Sequence, residues 1–399
     1  MKILVFNPEH DMALADNKSS FLPPAVIRKM ANDLSFLPTW IAEPGDIVIV
    51  DSVERAEIFR DSIFNKVKKK VGDGVCFASF KEPFKNVCSR LSVDVDNAEL
   101  APWGWDGYIK RKFEKWGVPQ SMLPSEEKLE GIRNLSSRRT AVQMLPQIVD
   151  AIGRDFCVGE SFVITSLEEF FPLAEKYEGV MMKMPWSSSG KGLNYCYSAN
   201  ITEKVKGWVN NVIEKQGCCI VEPLYNKFGD YALEFKVSEG KVSFLGYSKF
   251  DTANQGTYQG NVLMTDKEIE DYMCYILGVD VDKIRTVRKV VEENVRKFVA
   301  PYYNGVLGVD MMIVRDYEKG DFLHPCVEVN LRNNMGILAH ELKSRWITNA
   351  ERFDIHYNNF IPNDKELEYI PLVPEHDKSK YTARVYLQDK NWFDNVIFG

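Results

Sequence analysis

The feature that most constrains the fold is the order of apolar segments between residues 162 and 222. Strands are predicted at Phe162 to Thr165, Val180 to Met184 and Leu193 to Tyr197, which are short apolar runs bounded by polar or turn-forming residues. A helix is predicted over Thr202 to Lys215, where apolar residues recur at helical spacing, and a strand over Cys218 to Glu222. Two strands joined by a turn, followed by a helix and a strand, predict one compact unit.

The residues before this unit predict a small α/β domain over 1–125. Lys2 to Phe6 and Asp46 to Val50 have the pattern of buried strands, and helices are predicted around Ala25 to Leu34 and Glu54 to Val67. This alternation favours a mostly parallel sheet. We divide the remaining chain into 126–215, 216–345 and an extension over 346–399, and we predict a linker in the polar stretch 122–139.

The loop after the first predicted strand gathers many polar groups. Asn7, Glu9, His10, Asp11 and Asp16 all lie within ten residues of one another. In open α/β sheets, ligands bind at the carboxyl ends of the strands, so these side chains are candidates for substrate contact. The alternative is that they cap the next helix.

The composition is that of a folded protein and disfavours several functional classes. Of the 399 residues, 45% are hydrophobic and 27% are charged, and the net charge is -7, so no electrostatic footprint of a nucleic-acid binder is present. The eight cysteines show no CxxC spacing, which indicates reduced thiols. No segment reaches the roughly 18 consecutive apolar residues of a membrane span. We therefore expect a cytoplasmic protein without a membrane partner.

A loop of small residues connects the second and third predicted strands. Its residues are Ser187, Ser188, Ser189, Gly190, Lys191 and Gly192. Small residues let backbone N–H groups approach phosphate oxygens closely, and Lys183 and Lys191 supply positive charge. The loop predicts a phosphate cradle, with an ordinary hairpin turn as the alternative. It is not a Walker A loop, because Pro185 replaces the first glycine and a strand follows instead of a helix.

Glu222 and Asp230 form a second group. Glu222 ends an apolar strand, and Asp230 follows eight residues later. The exposed backbone at such a strand end can contact the edge of adenine, and a carboxylate farther on can bind ribose hydroxyls. Any buried strand that meets a polar loop has a similar pattern.

Asp310, Glu328 and Asn330 form a third group, which predicts a magnesium site. Side chains of a strand alternate between its two faces, so Glu328 and Asn330 point the same way, and an antiparallel neighbour carrying Asp310 would add a third oxygen. Such hard oxygen ligands suit Mg²⁺, and a bridging carboxylate would allow two ions. The alternative is a pair of acidic strand residues that face the surface, but the apolar neighbours of Asp310 and Glu328 imply burial.

The order of these three groups resembles the ATP-grasp superfamily, over roughly residues 136–345. The resemblance implies two α+β lobes that clamp ATP, preceded by the small α/β domain. It implies that Lys183 contacts the nucleotide phosphates and that 187–192 form a flexible loop over them. It further implies that Glu222 and Leu224 frame adenine and that Asp230 binds the ribose.

The resemblance also assigns metal ligands and cations. The family's aspartate and E-x-N pattern corresponds to Asp310, Glu328 and Asn330. Arg332 matches an arginine that can stabilise the transferred phosphate, and Lys249 is a further candidate near the phosphates. Arg138 or Arg139, of which we assign Arg139, replaces a lysine that members often carry. Gly308 departs from the pattern, because some amino-acid ligases have arginine there.

The chemistry that the resemblance implies is ligation. A small-molecule carboxylate would be activated by ATP as an acyl-phosphate and attacked by an amine, with Mg²⁺, for which Mn²⁺ may substitute, as cofactor. The loop would exclude water from the intermediate. Two other functions stay open: a non-catalytic nucleotide-binding protein and an ATP-dependent phosphotransferase. The sequence carries no signal for the oligomeric state.

Overall fold

The computed structural model describes residues 1–187, 192–253, 256–358 and 368–387. The chain divides into two compact units. The first unit comprises Met1–Leu129, Gly260–Thr265 and Leu338–Gly399, and the second comprises Glu130–Gln259 and Asp266–Ile337. This division into two units does not test the four domains that we assigned from the sequence, and they remain a prediction.

The first unit begins with a small parallel sheet, as the sequence predicts. Its elements are β1 (Lys2–Val5), α1 (His10–Asp16), α2 (Ala25–Asp33), β2 (Ile47–Ile49), α3 (Val53–Val67), β3 (Cys76–Ala78), α4 (Phe84–Leu91), β4 (Glu99–Pro102) and α5 (Gly107–Trp116). The strand order is β3-β2-β1-β4, and every neighbouring pair is parallel. Ile3, Leu4 and Val5 are all buried, so both faces of the sheet are covered.

The remaining elements follow in chain order. They are α6 (Glu126–Leu135), α7 (Arg139–Ile152), β5 (Phe162–Ile164), α8 (Leu167–Lys176), β6 (Gly179–Lys183), β7 (Leu193–Tyr197), α9 (Glu203–Gln216), β8 (Cys219–Pro223), β9 (Lys227–Ser238), β10 (Lys241–Thr252), β11 (Tyr258–Val262), α10 (Asp266–Leu277), α11 (Val281–Phe298), β12 (Gly305–Asp316), β13 (Gly320–Asn330), α12 (Met335–Glu341), β14 (Ala350–Tyr357), β15 (Tyr369–Pro371) and β16 (Tyr381–Leu387). The four strands predicted between residues 162 and 222 are confirmed to within one residue.

The second unit contains an antiparallel sheet of order β5-β8-β6-β7. Its core combines strand residues such as Val180 and Met182 with Phe170 of α8 and Val209 of α9, all fully buried. The Thr202 side chain caps α9 by accepting a hydrogen bond from the backbone N–H of Val205. The sequence therefore folds as one helix-covered sheet at the predicted positions.

The same unit contains a run of antiparallel strands in the order β13-β12-β9-β10. Tyr231, Tyr247 and Met311 lie on one face, where the Tyr247 hydroxyl donates to Glu270 of α10 at 3.3 Å. Ala232 and Asp310 are opposite each other and belong to the other face. Helices thus cover one face, and the predicted metal ligands lie on the opposite one.

The predicted linker at 122–139 is wrong in part, because α6 occupies Glu126–Leu135. Leu129 and Ile132 stand three residues apart and are 7% and 2% exposed, so they give this polar segment a buried stripe. Glu126 and Glu127 in the first turn favour a helix start. The sequence pattern did not predict this helix, because its few apolar residues are separated by charged ones.

The C-terminal strands belong to the first unit. β11, β14, β16 and β15 pair antiparallel in that order. The indole N–H of Trp40 donates to the carbonyl of Leu372 at 2.8 Å, and that of Trp346 donates to the carbonyl of Trp40 at 2.7 Å. All eight cysteines are free. Within the described ranges, no helix is long and apolar enough to cross a membrane.

Candidate functional site

Lys183 ends β6, directly before the small-residue loop. It lies opposite Leu193 of β7, so the loop joins two antiparallel neighbours. The backbone N–H of Met184 donates to the carbonyl of Gly192 at 2.8 Å, which closes the base of the loop. A Cβ on Gly192 would lie 2.3 Å from the Cβ of Ser187, so only glycine fits there. The predicted phosphate contacts Ser188, Ser189, Gly190 and Lys191 lie outside the described residues.

Lys183 forms a buried ion pair with Glu222. Its Nζ lies 2.6 Å from Oε2 of Glu222, and the two side chains are 8% and 6% exposed. Ser161 donates a hydrogen bond to Oε1 of the same carboxylate at 2.9 Å. Burial alone would raise the pKa of Glu222, but the Lys183 ammonium and these hydrogen bonds outweigh burial and hold the pKa below its ordinary value. The predicted phosphate lysine and the predicted adenine residue therefore share one charge-paired cluster.

Asp310 and Glu328 lie directly opposite each other on β12 and β13, as predicted. Asn330 follows on the same face of β13, and its Nδ2 donates to Oδ2 of Asp310 at 3.1 Å. Burial raises the pKa of Asp310 well above its ordinary value, and the charges of Glu328 and Glu234 raise it further, while Arg332 lowers it. The structure therefore brings the acidic side chains of Asp310, Glu328 and Glu234 together at the predicted metal site.

Glu234 of β9 is a buried carboxylate of this face that sequence reasoning missed. It pairs with Gly308, which in turn pairs with Asn330. Ser248 donates to its Oε1 at 3.0 Å, and Asn334 donates to its Oε2 at 2.7 Å. Burial raises the pKa of Glu234 to about 7, although these hydrogen bonds oppose the shift. The period-two spacing from Asp230 to Glu234 was the available signal.

Two glycines make room for the Glu234 carboxylate. A Cβ on Gly308 would lie 2.5 Å from Nδ2 of Asn334 and 2.7 Å from Oε2 of Glu234. A Cβ on Gly336 would lie 2.2 Å from Oε1 of Glu234 and 2.4 Å from Oγ of Ser248. The space beside Gly308 is filled by the carboxylate of Glu234 and the amide of Asn334.

We expect Gly336→Ala to destabilise the protein by about 1–3 kcal/mol, because the added methyl group must displace a buried, hydrogen-bonded carboxylate. Gly207→Ala is the matched control, since nothing lies within 4 Å of its Cβ position in the middle of α9. The control should be neutral or more stable than wild type by about 0.5–1 kcal/mol. Urea unfolding midpoints measure both changes, and equal midpoints for the two variants would contradict the packing argument.

Arg138, rather than the assigned Arg139, joins the two halves of this cluster. Its guanidinium donates to the carbonyl of Met184 at 2.7 Å, to Oγ of Ser187 at 2.8 Å and to Oε2 of Glu328 at 3.0 Å. Arg138 is 7% exposed, whereas Arg139 is exposed. The sequence offered two adjacent arginines, and only the start of α7 determines which one points inward.

Three other predicted residues form hydrogen bonds within the protein. The Arg332 guanidinium donates to Oδ1 of Asn330 at 3.4 Å, at the metal site. Asp230 accepts hydrogen bonds from Lys227 at 2.5 Å and Thr252 at 2.7 Å. The backbone N–H of Leu224 donates to the carbonyl of Gly179 at 2.8 Å, so this structure does not offer it to a base.

Lys249 does not lie with the predicted phosphate contacts. It is opposite Tyr231, whereas Ser248 is opposite Ala232, so Lys249 points to the helix-covered face of the sheet. Its Nζ lies 5.8 Å from the ring centre of Tyr272 on α10. The prediction failed because strand register, which decides the face, depends on distant pairing.

The donor set fits a magnesium ion. Mg²⁺ takes oxygen ligands and is usually held by one or two carboxylates together with phosphates and water. Asp310 and Glu328 supply two carboxylates, Asn330 supplies an amide, and the crowded negative charge favours a cation. Within the described part of the chain, no three His, Cys, Asp or Glu side chains form a metal-binding group by themselves.

The polar loop of the first unit forms a separate cluster. The Asp106 side chain caps α5 by accepting from the N–H groups of Tyr108 and Ile109, at 2.7 and 2.9 Å. Nδ2 of Asn7 donates to the carbonyl of Gly104 at 2.8 Å, and Nδ1 of His10 lies 3.1 Å from Oδ2 of Asp106. Helix capping therefore accounts for Asp106, which follows β4. It does not account for the polar residues that follow β1.

No family model matches this sequence, and no curated protein matches it. Solved structures do match it. N5-carboxyaminoimidazole synthetase from Staphylococcus aureus, complexed with ADP, is 13% identical, with 99% of this chain and 95% of that chain covered and a TM-score of 0.47. Biotin carboxylase from Campylobacter jejuni is 13% identical, with 98% and 88% covered and a TM-score of 0.48.

A third match is the biotin carboxylase domain of the Hydrogenobacter thermophilus 2-oxoglutarate carboxylase, in complex with MgADP, ADP and bicarbonate. It is 11% identical, with 97% of this chain and 86% of that chain covered and a TM-score of 0.49. All three matches are under 25% identical to this chain and have TM-scores under 0.5.

Proposed function

We propose that this protein is an ATP-dependent ligase of the ATP-grasp superfamily, which joins a small-molecule carboxylate to an amine. The observation that carries the proposal is the Arg138 bridge. One buried guanidinium contacts both Glu328 of the acidic face and Ser187 at the base of the small-residue loop. The residues proposed to bind a cation and those proposed to bind phosphates would thus adjoin each other, which is what binding of a metal–nucleotide complex requires.

The roles that we propose for these residues follow from their charges. Asp310, Glu328 and Asn330 would hold Mg²⁺, which would supply positive charge to the phosphate oxygens. Lys183 and Arg138 would bind phosphate oxygens at the loop, where backbone N–H groups add further donors. Arg332, beside Asn330, would stabilise the charge that gathers on the phosphoryl group during its transfer. Asp230, near the start of β9, would bind the ribose.

No side-chain nucleophile is needed for this chemistry. The carboxylate substrate attacks the γ-phosphorus, the bond from that phosphorus to the bridging oxygen breaks, and ADP leaves. The amine then attacks the acyl carbon and releases phosphate. The task of the protein is to position the reactants, to neutralise charge and to exclude water. We propose the cytoplasm as the location, since all eight cysteines are free.

The first test is calorimetric titration with a non-hydrolysable ATP analogue, with and without Mg²⁺. We expect binding that requires Mg²⁺ and that Lys183→Ala abolishes, because the loop then loses its buried cation. Lys204→Ala is the matched control, since this exposed lysine of α9 lies outside the cluster. Absence of binding in both conditions would refute the nucleotide site.

The second test separates ligation from the two other functions. We expect ADP to form only when a carboxylate and an amine are both supplied. ADP formation with a phosphorylated product but no amine would indicate a phosphotransferase. Binding of the analogue without ADP formation from any substrate pair would indicate a non-catalytic nucleotide-binding protein.

A further inference from the structure

Glu9 occupies the position in the first unit where a parallel sheet forms a ligand crevice. In the order β3-β2-β1-β4, the chain moves outward from β1 to β3 and then returns to the other side of β1. Ligands bind outside the carboxyl ends of the strands at such a switch point. Glu9 follows β1, and Asp106 follows β4. Both side chains are buried, with exposures of 3% and 1%.

Most polar groups at this position satisfy one another. Oδ2 of Asp106 is contacted by Asn7 at 3.3 Å and by His10 at 3.1 Å, while Oδ1 caps α5. The N–H of Gly104 donates to Oδ1 of Asn7 at 3.3 Å. A Cβ on Gly104 would lie 2.6 Å from the His10 ring. These residues form a floor in which Asn7, Gly104, His10 and Asp106 bind one another.

Glu9 differs from this floor. Its Oε2 is buried and has no hydrogen-bond partner. Glu9 precedes α1, yet its side chain makes no capping hydrogen bond to that helix. Lys112 and Tyr108 stand one turn apart on α5 and are the α5 groups beyond Asp106 that interact electrostatically with Glu9. Among the ion pairs that the described residues form, none joins Lys112 to Glu9.

We propose that the crevice at Glu9 binds a small molecule that carries a primary ammonium group, with Oε2 of Glu9 as its acceptor. A buried carboxylate oxygen without a donor costs free energy, and an ammonium supplies both the missing hydrogen bond and the opposite charge. An anionic group is disfavoured, because Glu9 and Asp106 are both acidic. Glu9 is only 3% exposed, so a folded partner cannot contact it.

Burial also raises the pKa of Glu9 to about 7, although a backbone hydrogen bond and the charge of Lys112 oppose the shift. The proposed ammonium site does not depend on the proposed ligase, because binding is measured without nucleotide. Failure of the ammonium site would leave the ligase proposal unchanged, and failure of the ligase would leave the ammonium site unchanged.

The probe is ethylammonium chloride, titrated at constant ionic strength into the full chain and followed by protein-detected thermal shift and ligand-observed NMR. Ethanol is the neutral analogue of similar size. We expect saturable binding of ethylammonium, no binding of ethanol, and an apparent Kd at least about tenfold weaker in Glu9→Gln, because a charge-assisted hydrogen bond is lost. Glu54→Gln, an exposed glutamate of α3, should bind as wild type does.

Thermal stability without probe provides a second readout. Because Oε2 has no partner in the protein, Glu9→Gln should melt at the wild-type temperature or above it at pH 8. Equal ethylammonium binding by wild type and Glu9→Gln would overturn the proposal, as would absence of binding to wild type. A clearly lower melting temperature for Glu9→Gln would also overturn it, since Glu9 would then be satisfied within the fold.

Discussion

Glu328→Gln is expected to lower the rate of ATP turnover by about a hundredfold or more while the fold stays intact. The change removes one negative charge and keeps the size of the side chain. Glu328 faces Asp310 across the strand pair and accepts a hydrogen bond from Arg138 at 3.0 Å. A neutral amide weakens both the metal ligand set and the contact that connects it to the loop.

The fold should tolerate this change, because Glu328 is partly exposed and its loss reduces repulsion with Asp310. Glu318→Gln is the matched control, since Glu318 lies in the exposed turn of the same β12–β13 hairpin. Circular dichroism and melting temperature verify the fold, and ADP release measures turnover. Turnover at the wild-type rate in Glu328→Gln would remove Glu328 from the metal site.

The Lys183–Glu222 pair gives the second large effect. Lys183→Met should destabilise the protein by about 3–5 kcal/mol, because it leaves a buried carboxylate without its partner. The double variant Lys183→Met with Glu222→Gln removes both charges and should recover most of that stability. Nucleotide binding should be lost in both variants. Chemical denaturation and calorimetric titration report the two properties separately.

This pair of variants distinguishes a structural ion pair from a functional one. A double variant that recovers both stability and binding would show that Lys183 serves only to neutralise Glu222. Because the folded pKa of Glu222 lies below its ordinary value of 4.5, the pair stabilises the wild-type fold above that pH. Its contribution is lost as the pH falls through the lowered pKa, and the double variant should not show this loss.

Local pattern predicted most of the elements around the site. The β6–β7 hairpin follows from two apolar runs flanking a small-residue loop, and the opposition of Asp310 and Glu328 follows from strand alternation and one antiparallel pairing. These features depend on neighbours in sequence or on a single hairpin. These features are therefore predictable from the sequence alone.

The errors share a different cause. Lys249 was assigned to the phosphates, but the register between β9 and β10 turns it to the opposite face. Arg138 and Arg139 are adjacent, and the packing of α7 decides between them. Glu234 became recognisable only when its strand was placed beside β12. Pairing between distant strands or the packing of α7 fixes these positions, and for Glu234 the period-two spacing from Asp230 gives only the face of its own strand.

The Arg138 bridge also has a thermodynamic consequence. One guanidinium holds Ser187 and Glu328 at the same time. A ligand that competes with Glu328 for this guanidinium changes its contact with Ser187, and a ligand that competes with Ser187 changes its contact with Glu328. Linkage requires the two effects to be equal. The factor by which a divalent cation tightens nucleotide binding must therefore equal the factor by which nucleotide tightens cation binding. Arg138→Lys, which cannot reach both partners with a planar fork, should shrink both factors together.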